Sequence, residues 1–325
     1  MSMNESSQSS SQPAEAQKVK VLIIGSGPAG LSAALYTARA NLEPLLLTGM
    51  QLGGQVSLTN TVENYPGFPE GVGGQALNEL FTKQAERFGA HLEFDTVTQV
   101  DLSRRPFFVR SYNAAYLADT LILATGATPR RLNVPGETEL TGRGVSYCAT
   151  CDGWFFKEKR VVVVGGGDSA LEEALFLTRY VKSVSIVHRR TELRAGAILQ
   201  KRAKENSKVT FILHSEVTRI NGNEAVKSVT LKDVLTGQES DQPTDGIFIF
   251  IGHDPNTQLF EGQLDIDERG YIKTNSLMVT SLPGVFVAGE AGDPVFRQVV
   301  TSAGMGAAAA MQAIKFLSDE EGKSL

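Results

Sequence analysis

The chain has 325 residues, a formal net charge of −5, 42% hydrophobic residues and 21% charged residues. That balance describes a globular protein with room for two domains, and the acidic excess argues against nucleic acid or an anionic membrane as the main partner. No apolar run approaches the roughly 20 residues of a membrane span, and the start lacks the basic and apolar segments of a signal peptide, so the expectation is a cytoplasmic protein. Residues 1–17, rich in Ser, Gln, Glu and Asn, cannot bury a core and are predicted to form a disordered tail.

Residues 18–24 read as an apolar strand that runs into Gly25-Ser26-Gly27-Pro28-Ala29-Gly30, followed by a helical pattern through Leu31, Ala34, Leu35 and Ala38. This is a G-x-G-x-x-G turn in its strand–turn–helix setting, with one glycine for the tight turn, one for approach of a pyrophosphate and one for helix–strand packing. The helix N-terminus would face the phosphates. The next strand, residues 44–47, ends in Thr48-Gly49, where a dinucleotide site normally carries a ribose-binding acid. Glu43 opens that strand and does not close it, so Gly53, Gly54 and Gln55, with Glu63 and Asn64, are the polar candidates for a replacement contact. A helix over residues 76–88 and short strands near 91–94, 97–101 and 107–110 follow. A strand at 120–124 then ends in Ala124-Thr125-Gly126, and a boundary falls around Pro129, Pro135 and Gly136.

The two cysteines of the chain stand together in Cys148-Ala149-Thr150-Cys151-Asp152. Two sulfurs at this spacing can close and reopen a small disulfide ring, and Asp152 could carry the proton that such exchange moves. The competing readings are two ordinary buried thiols or half of a zinc site, which needs two further ligands that neither a second C-x-x-C nor a spaced histidine pair supplies. Beyond this pair the phosphate pattern repeats. A strand at 160–164 enters Gly165-Gly166-Gly167-Asp168-Ser169-Ala170, a helix follows over 171–179, and the next strand, 184–187, ends in His188-Arg189-Arg190 with Arg194 nearby. Guanidiniums in place of the ribose acid match a 2′-phosphate, and so NADPH. Further strands are expected near 209–213, 226–231 and 247–251. After them come Gly252-His253-Asp254-Pro255-Asn256, a second boundary near Pro255, a buried strand at 284–288 and an alanine-rich core helix over 302–317. His253 reads as a hydrogen-bonding loop histidine.

Two dinucleotide fingerprints around one dithiol imply hydride from NADPH, a two-electron dithiol, and a flavin able to exchange with both. The runs 25–30, 49–55, 63–67, 124–127, 148–153, 165–174, His188-Arg189-Arg190 with Arg194, 252–257 and 297–304 together resemble the low-molecular-weight bacterial-type thioredoxin reductases from residue 18 to 317. What the resemblance implies is an α/β homodimer of two Rossmann-like dinucleotide-binding domains, the NADPH domain inserted into the FAD domain. After the tail, the FAD domain would take 18–129 and, beyond the insertion, 255–325. The NADPH domain with the redox-active pair would take 130–254.

By the same resemblance, FAD would be held by Gly25, Ser26, Gly27, Pro28, Ala29, Gly30, Thr48, Gly53, Gly54, Gln55, Asn64, Ala124, Thr125 and Gly126, and by Gly289, Glu290, Arg297, Gln298 and Val299. NADPH would be held by Gly167, Asp168, Ser169, Glu172, His188, Arg189, Arg190 and Arg194, with no metal. Cys151 would exchange electrons with flavin, Cys148 would attack the disulfide of thioredoxin, and Asp152 would serve as proton donor and acceptor. Thioredoxin would dock at Arg143, Trp154 and Phe155. Two departures stand out: Gly289-Glu290-Ala291 where Gly-Asp-Val is usual, and Trp154 where phenylalanine is common. The rival readings are a related flavoprotein dithiol oxidase, which needs no 2′-phosphate site, and a redox-sensing module that binds nucleotides without turnover.

Overall fold

The computed structural model describes residues 16–59 and 61–322 and divides them into two units. The first takes the described residues up to 56, then 77–126 and those from 255 onward; the second takes 57–76 and 127–254. Residues 57–76, expected with the first domain, therefore group with the second unit. Residues 1–15 of the expected tail lie outside the described residues. The boundary of that tail is corrected at its other end, because Gln17 already pairs with Tyr116 in a β-ladder.

The first unit opens with β1 (Gln17–Ile24), α1 (Pro28–Arg39), β2 (Leu45–Leu47), α2 (Gly74–Arg87), β3 (His91–Glu93), β4 (Val97–Asp101), β5 (Phe107–Ser111) and β6 (Ala115–Leu123). The sheet order is β3-β2-β1-β6-β5-β4, parallel through β3, β2, β1 and β6 and antiparallel beyond. Period-two burial on β1 feeds two cores. Val21 and Ile23 pack with the alanines of α1 on one face, while Leu22 and Ile24 pack with Leu45, Leu121 and Val109 on the other.

The second unit contains β7 (Ala127–Pro129), β8 (Val145–Ser146), α3 (Ala149–Asp152), β9 (Arg160–Val164), α4 (Asp168–Leu177), β10 (Ser183–Val187), α5 (Ala197–Glu205) and β11 (Val209–Ile212). It continues with β12 (Ser215–Gly222), β13 (Val226–Asp233), β14 (Glu239–Pro243), β15 (Gly246–Ile249) and β16 (His253–Pro255). Its main sheet is all parallel in the order β11-β10-β9-β15-β8, and β12, β13 and β14 form a separate antiparallel sheet. β7 and β16 pair with each other, at the last two of the four places where the chain passes between units. Val161 and Val163 of β9 face the α4 side, Val162 and Val164 the opposite core.

The chain then returns to the first unit, adding β17 (Val285–Val287), parallel to the last residues of β6, and α6 (Val299–Glu320). α6 runs three residues beyond the expected helix at each end. Its small residues serve close packing: a Cβ at Gly306 would stand 2.0 Å from the carbonyl oxygen of Ala29 in α1, whereas one at Gly304 would meet nothing within 4 Å.

This difference sets opposite signs for the same chemical change in one helix. Gly306→Ala is expected to destabilise the first unit by about 1–3 kcal/mol through overpacking against α1. Gly304→Ala is expected to be neutral or to stabilise by up to about 1 kcal/mol through helix propensity. Chemical denaturation of the two variants beside the parent checks both signs.

Candidate active site

Each main sheet puts a glycine turn at its topological switch point, and the two turns are built by the same hydrogen bonds. In the first unit Gly25 N–H donates to Leu47 O at 2.9 Å and Ala124 N–H to Ile24 O at 2.8 Å; in the second, Gly165 N–H donates to Val187 O at 3.1 Å and Phe250 N–H to Val164 O at 2.8 Å. The first glycine of each turn is left-handed, with φ of 108° and 149°. A Cβ there would strike the neighbouring strand end, 2.3 Å from Ala124 O or 2.4 Å from Phe250 O. At the third position Gly30 has no room, since its Cβ would lie 1.8 Å from Gly25 O, while Ala170 fits and is fully buried.

The middle glycines differ from both. Gly27 and Gly167 are the N-cap residues of α1 and α4, neither N-cap has a capping side chain, and a Cβ on either would meet nothing within 4 Å. Open backbone at an uncapped helix N-terminus suits an approaching pyrophosphate. Both turns therefore fit a dinucleotide.

Around the first turn, several expected contact residues hold the scaffold. Ser26, 2% exposed, donates its hydroxyl to Thr48 O at 2.9 Å and Gln51 O at 3.3 Å and accepts from Gly53 N–H at 3.1 Å, tying the 48–53 loop to the turn. Gly54 lies against Gly27, its would-be Cβ 3.2 Å from the Gly27 Cα. Thr48 donates to Gly49 O at 2.8 Å, and Thr125 to Asn256 O at 2.6 Å while Asn256 returns a bond to Thr125 O at 2.9 Å. Pro28 and Ala29 open α1, and Gln55 is exposed at the start of a short turn of helix. Asn64 is exposed within 57–76, in the other unit.

Gly289 takes φ of 70° with its Cα face against Ala29, and Glu290 follows in a single turn. Gln298 N-caps α6 reciprocally with Thr301, Val299 opens that helix, and Arg297 is left-handed with φ of 50°. The buried carboxylate of Asp293 holds that strained loop, accepting from the amides of Val295 (2.8 Å), Phe296 (2.9 Å) and Arg297 (3.1 Å). Asp293 closes the run that begins at Gly289, and its loop-bracing role has a local signal, because an Asp can accept from amides two to four residues on.

In the second unit the basic residues gather beside the turn. The His188 ring lies against Gly166, where a Cβ would come within 2.5 Å of it, and its Nε2 is buried without a partner. Arg194 N–H and Ala195 N–H both donate to Gly166 O, at 2.7 and 3.0 Å, and Asp168 Oδ1 accepts from Gly196 N–H at 2.7 Å. These bonds hold the backbone at Arg194 against the glycine turn. Burial first, then the charges of Arg194, Arg190 and Arg189, lowers the His188 pKa and favours the neutral ring. Among the described residues none of these three guanidiniums has a carboxylate partner, so the cluster is an uncompensated positive site. Ser169 and Glu172 are exposed on the first turns of α4.

Cys148 and Cys151 are joined as a disulfide, with their Cα atoms 5.3 Å apart. Cys148 N-caps α3, and its Sγ accepts from Cys151 N–H at 3.1 Å. Burial raises the Asp152 pKa above the ordinary carboxylate range, and Ser146, donating to Oδ2 at 2.6 Å, opposes that rise. Trp154 and Phe155, 55% and 42% exposed, follow directly, and Arg143 donates to Glu139 O. One brace was not legible in sequence: Glu137, 1% exposed, accepts from Leu132 N–H, Asn133 N–H and Tyr147 O–H at 3.0, 2.7 and 2.8 Å, fixing the residue before Cys148. Among the described residues no group of His, Cys, Asp or Glu could hold a metal ion, and no helix is long and apolar enough to cross a membrane.

Comparison with known proteins agrees with this geometry. Residues 19–306 match the family described as pyridine nucleotide-disulphide oxidoreductase. A thioredoxin reductase of Mycolicibacterium smegmatis is 48% identical, covering 93% of this chain and 97% of its own, and one of Rickettsia conorii is 51% identical, covering 92% and 98%. The crystal structure of thioredoxin reductase from Streptococcus pyogenes superposes with a TM-score of 0.90 at 42% identity, over 94% of this chain and all of that one. The chain therefore belongs to the thioredoxin reductases, within the pyridine nucleotide-disulphide oxidoreductase family, and is an NADPH-dependent flavoprotein disulfide oxidoreductase.

Proposed function

We propose that this chain reduces the disulfide of thioredoxin with electrons from NADPH, delivered by way of FAD and the Cys148–Cys151 pair. The observation that carries the proposal is a closed disulfide beside a half-buried acid, in a unit whose glycine turn is flanked by three arginines without carboxylate partners among the described residues. The first turn, Gly25 to Gly30, with the 48–55 loop, Ala124 to Gly126 and Gly289 to Val299, would hold FAD. The second turn, Gly167 to Ser169, with Glu172, His188, Arg189, Arg190 and Arg194, would hold NADPH and distinguish its 2′-phosphate. FAD, when bound, supplies the link between two-electron hydride chemistry and thiol chemistry.

The protein's own residues do the rest. Reduction of the pair takes two electrons and two protons and gives two thiols. The Cys148 sulfur, with Cys151 N–H donating to it, is the better-stabilised thiolate and attacks one sulfur of the thioredoxin disulfide. An intermolecular S–S bond forms and the other thioredoxin sulfur leaves as a thiolate that takes a proton. Cys151 then attacks Cys148 Sγ, the intramolecular bond closes again, and the thioredoxin sulfur that was bonded to Cys148 is released and protonated. Asp152, kept protonated more readily than a solvated carboxylate, donates and recovers one of these protons. Exposed Trp154 and Phe155, with Arg143, form the docking patch for thioredoxin. The enzyme acts as a cytoplasmic homodimer, with the FAD domain built from both ends of the chain and the NADPH domain between them.

Three outcomes check this reading. Cys148→Ser should retain FAD and its reduction by NADPH while thioredoxin reduction falls by about 10³-fold or more, measured as NADPH oxidation with oxidised thioredoxin. Arg189→Ala with Arg190→Ala should raise the NADPH KM by about a hundredfold or more, because each of the two lost charge-assisted bonds is worth roughly 1.5–3 kcal/mol, and should leave the NADH KM nearly unchanged. Ser26→Ala should loosen the 48–53 loop, seen as faster FAD release in mild denaturant and faster proteolysis between residues 48 and 54, with the apoprotein destabilised by about 1–3 kcal/mol.

A further inference from the structure

Ser146 stands at the end of β8, two residues before the first cysteine, and is 4% exposed. Its one hydroxyl meets both ends of the redox turn. It accepts from Cys148 N–H at 3.1 Å, lies 3.2 Å from Cys148 O, and donates to Asp152 Oδ2 at 2.6 Å. Asp152 N–H in turn donates to Cys148 O at 3.2 Å, which closes a compact ring of bonds around the dithiol helix. β8 itself is fixed in register by β15, with Ser146 opposite Phe248. The hydroxyl is thus held by the sheet and not by the turn it braces.

We infer that Ser146 is a positioning residue for the disulfide exchange: it fixes the orientation of the Asp152 carboxyl and tunes its hold on the transferred proton, while anchoring the Cys148 amide. This inference rests on the reading of Asp152 as the acid and base of the site. Ser146 is the side-chain hydrogen-bond donor that the structure places on the Asp152 carboxyl. α4, packed against α3, carries Asp168, Glu172 and Glu173, and the turn at 153–156 carries no charged side chain. Lys157, which follows that turn, lies over the Trp154 ring. Burial raises the Asp152 pKa, and the Ser146 hydroxyl, donating to Oδ2, opposes that rise. A hydroxyl that donates to a carboxylate favours its ionised form. Removing it leaves burial unopposed, so the carboxyl must hold its proton to higher pH.

The test uses the FAD-loaded enzyme with NADPH and thioredoxin and follows kcat/KM against pH. Asp152→Asn identifies the limb that belongs to Asp152, as the one it abolishes. Ser146→Ala should move that limb upward by about one pH unit, whichever direction of proton transfer limits turnover, and should add nothing in the Asp152→Asn background. Ser146→Thr, which keeps the hydroxyl, should restore the parent profile. Ser146→Thr and Ser146→Val, matched in shape, carry the same comparison if the alanine variant does not fold. A limb abolished by Asp152→Asn but unmoved by loss of the Ser146 hydroxyl overturns the inference alone. A profile unchanged by Asp152→Asn overturns it together with the assignment of Asp152.

Discussion

The constraint on which both glycine turns depend is the approach of one strand end to its two neighbours. At each switch point a glycine amide reaches across to one adjacent strand and the other adjacent strand reaches back, within 2.8–3.1 Å. Any Cβ at Gly25 or Gly165 would occupy the space those strands fill. Close approach brings the next glycine, Gly27 or Gly167, to the helix N-terminus, where the missing side chain leaves the backbone uncapped and open to a phosphate. The chain makes this arrangement twice, then separates the two sites by what lies at the end of the next strand: Thr48-Gly49 in one, His188-Arg189-Arg190 in the other.

The redox pair depends on a second, smaller constraint. A four-residue helix has almost no stability of its own. Here it is defined by bonds from outside: Ser146 at its start, Glu137 behind Tyr147, and the apolar contacts of Ala149 and Phe156 in the core beside α4. Such support lets the sulfur–sulfur bond open and close without moving the strands, while the exposed aromatic face beyond it stays available to a partner.

Much of this was legible in the sequence because the decisive residues are ones whose chemistry is narrow. Gly25, Gly30 and Gly165 have backbone reasons that no other residue satisfies, the two cysteines have one neighbour each, and clustered arginines after a phosphate turn match one kind of group. The strands β1 and β9 could be read because each ends in an unbroken apolar run, Val21 to Ile24 and Val161 to Val164. What stayed hidden was tertiary. β14, with the sequence Glu-Ser-Asp-Gln-Pro, has no apolar signal and exists because β13 pairs with it. α5 buries only Ala203 fully and lacks a capping side chain. Ser26, Thr125 and Asp168 stand in motif positions, yet their side chains hold loops, a role that depends on partners 22 to 131 residues away. Glu137 works mainly through the backbone amides of Leu132 and Asn133, which carry no mark in sequence.

The central claim is that reducing equivalents leave this protein through Cys148 and Cys151. The direct measurement is alkylation of the FAD-loaded enzyme under anaerobic conditions, with the two cysteines resolved by mass spectrometry in samples quenched before NADPH, after NADPH, and after a further excess of oxidised thioredoxin. The account predicts no label in the first sample, label on both cysteines in the second, and no label again in the third, where thioredoxin has been reduced. Thioredoxin reduced by NADPH while Cys148 and Cys151 stay joined throughout would contradict it.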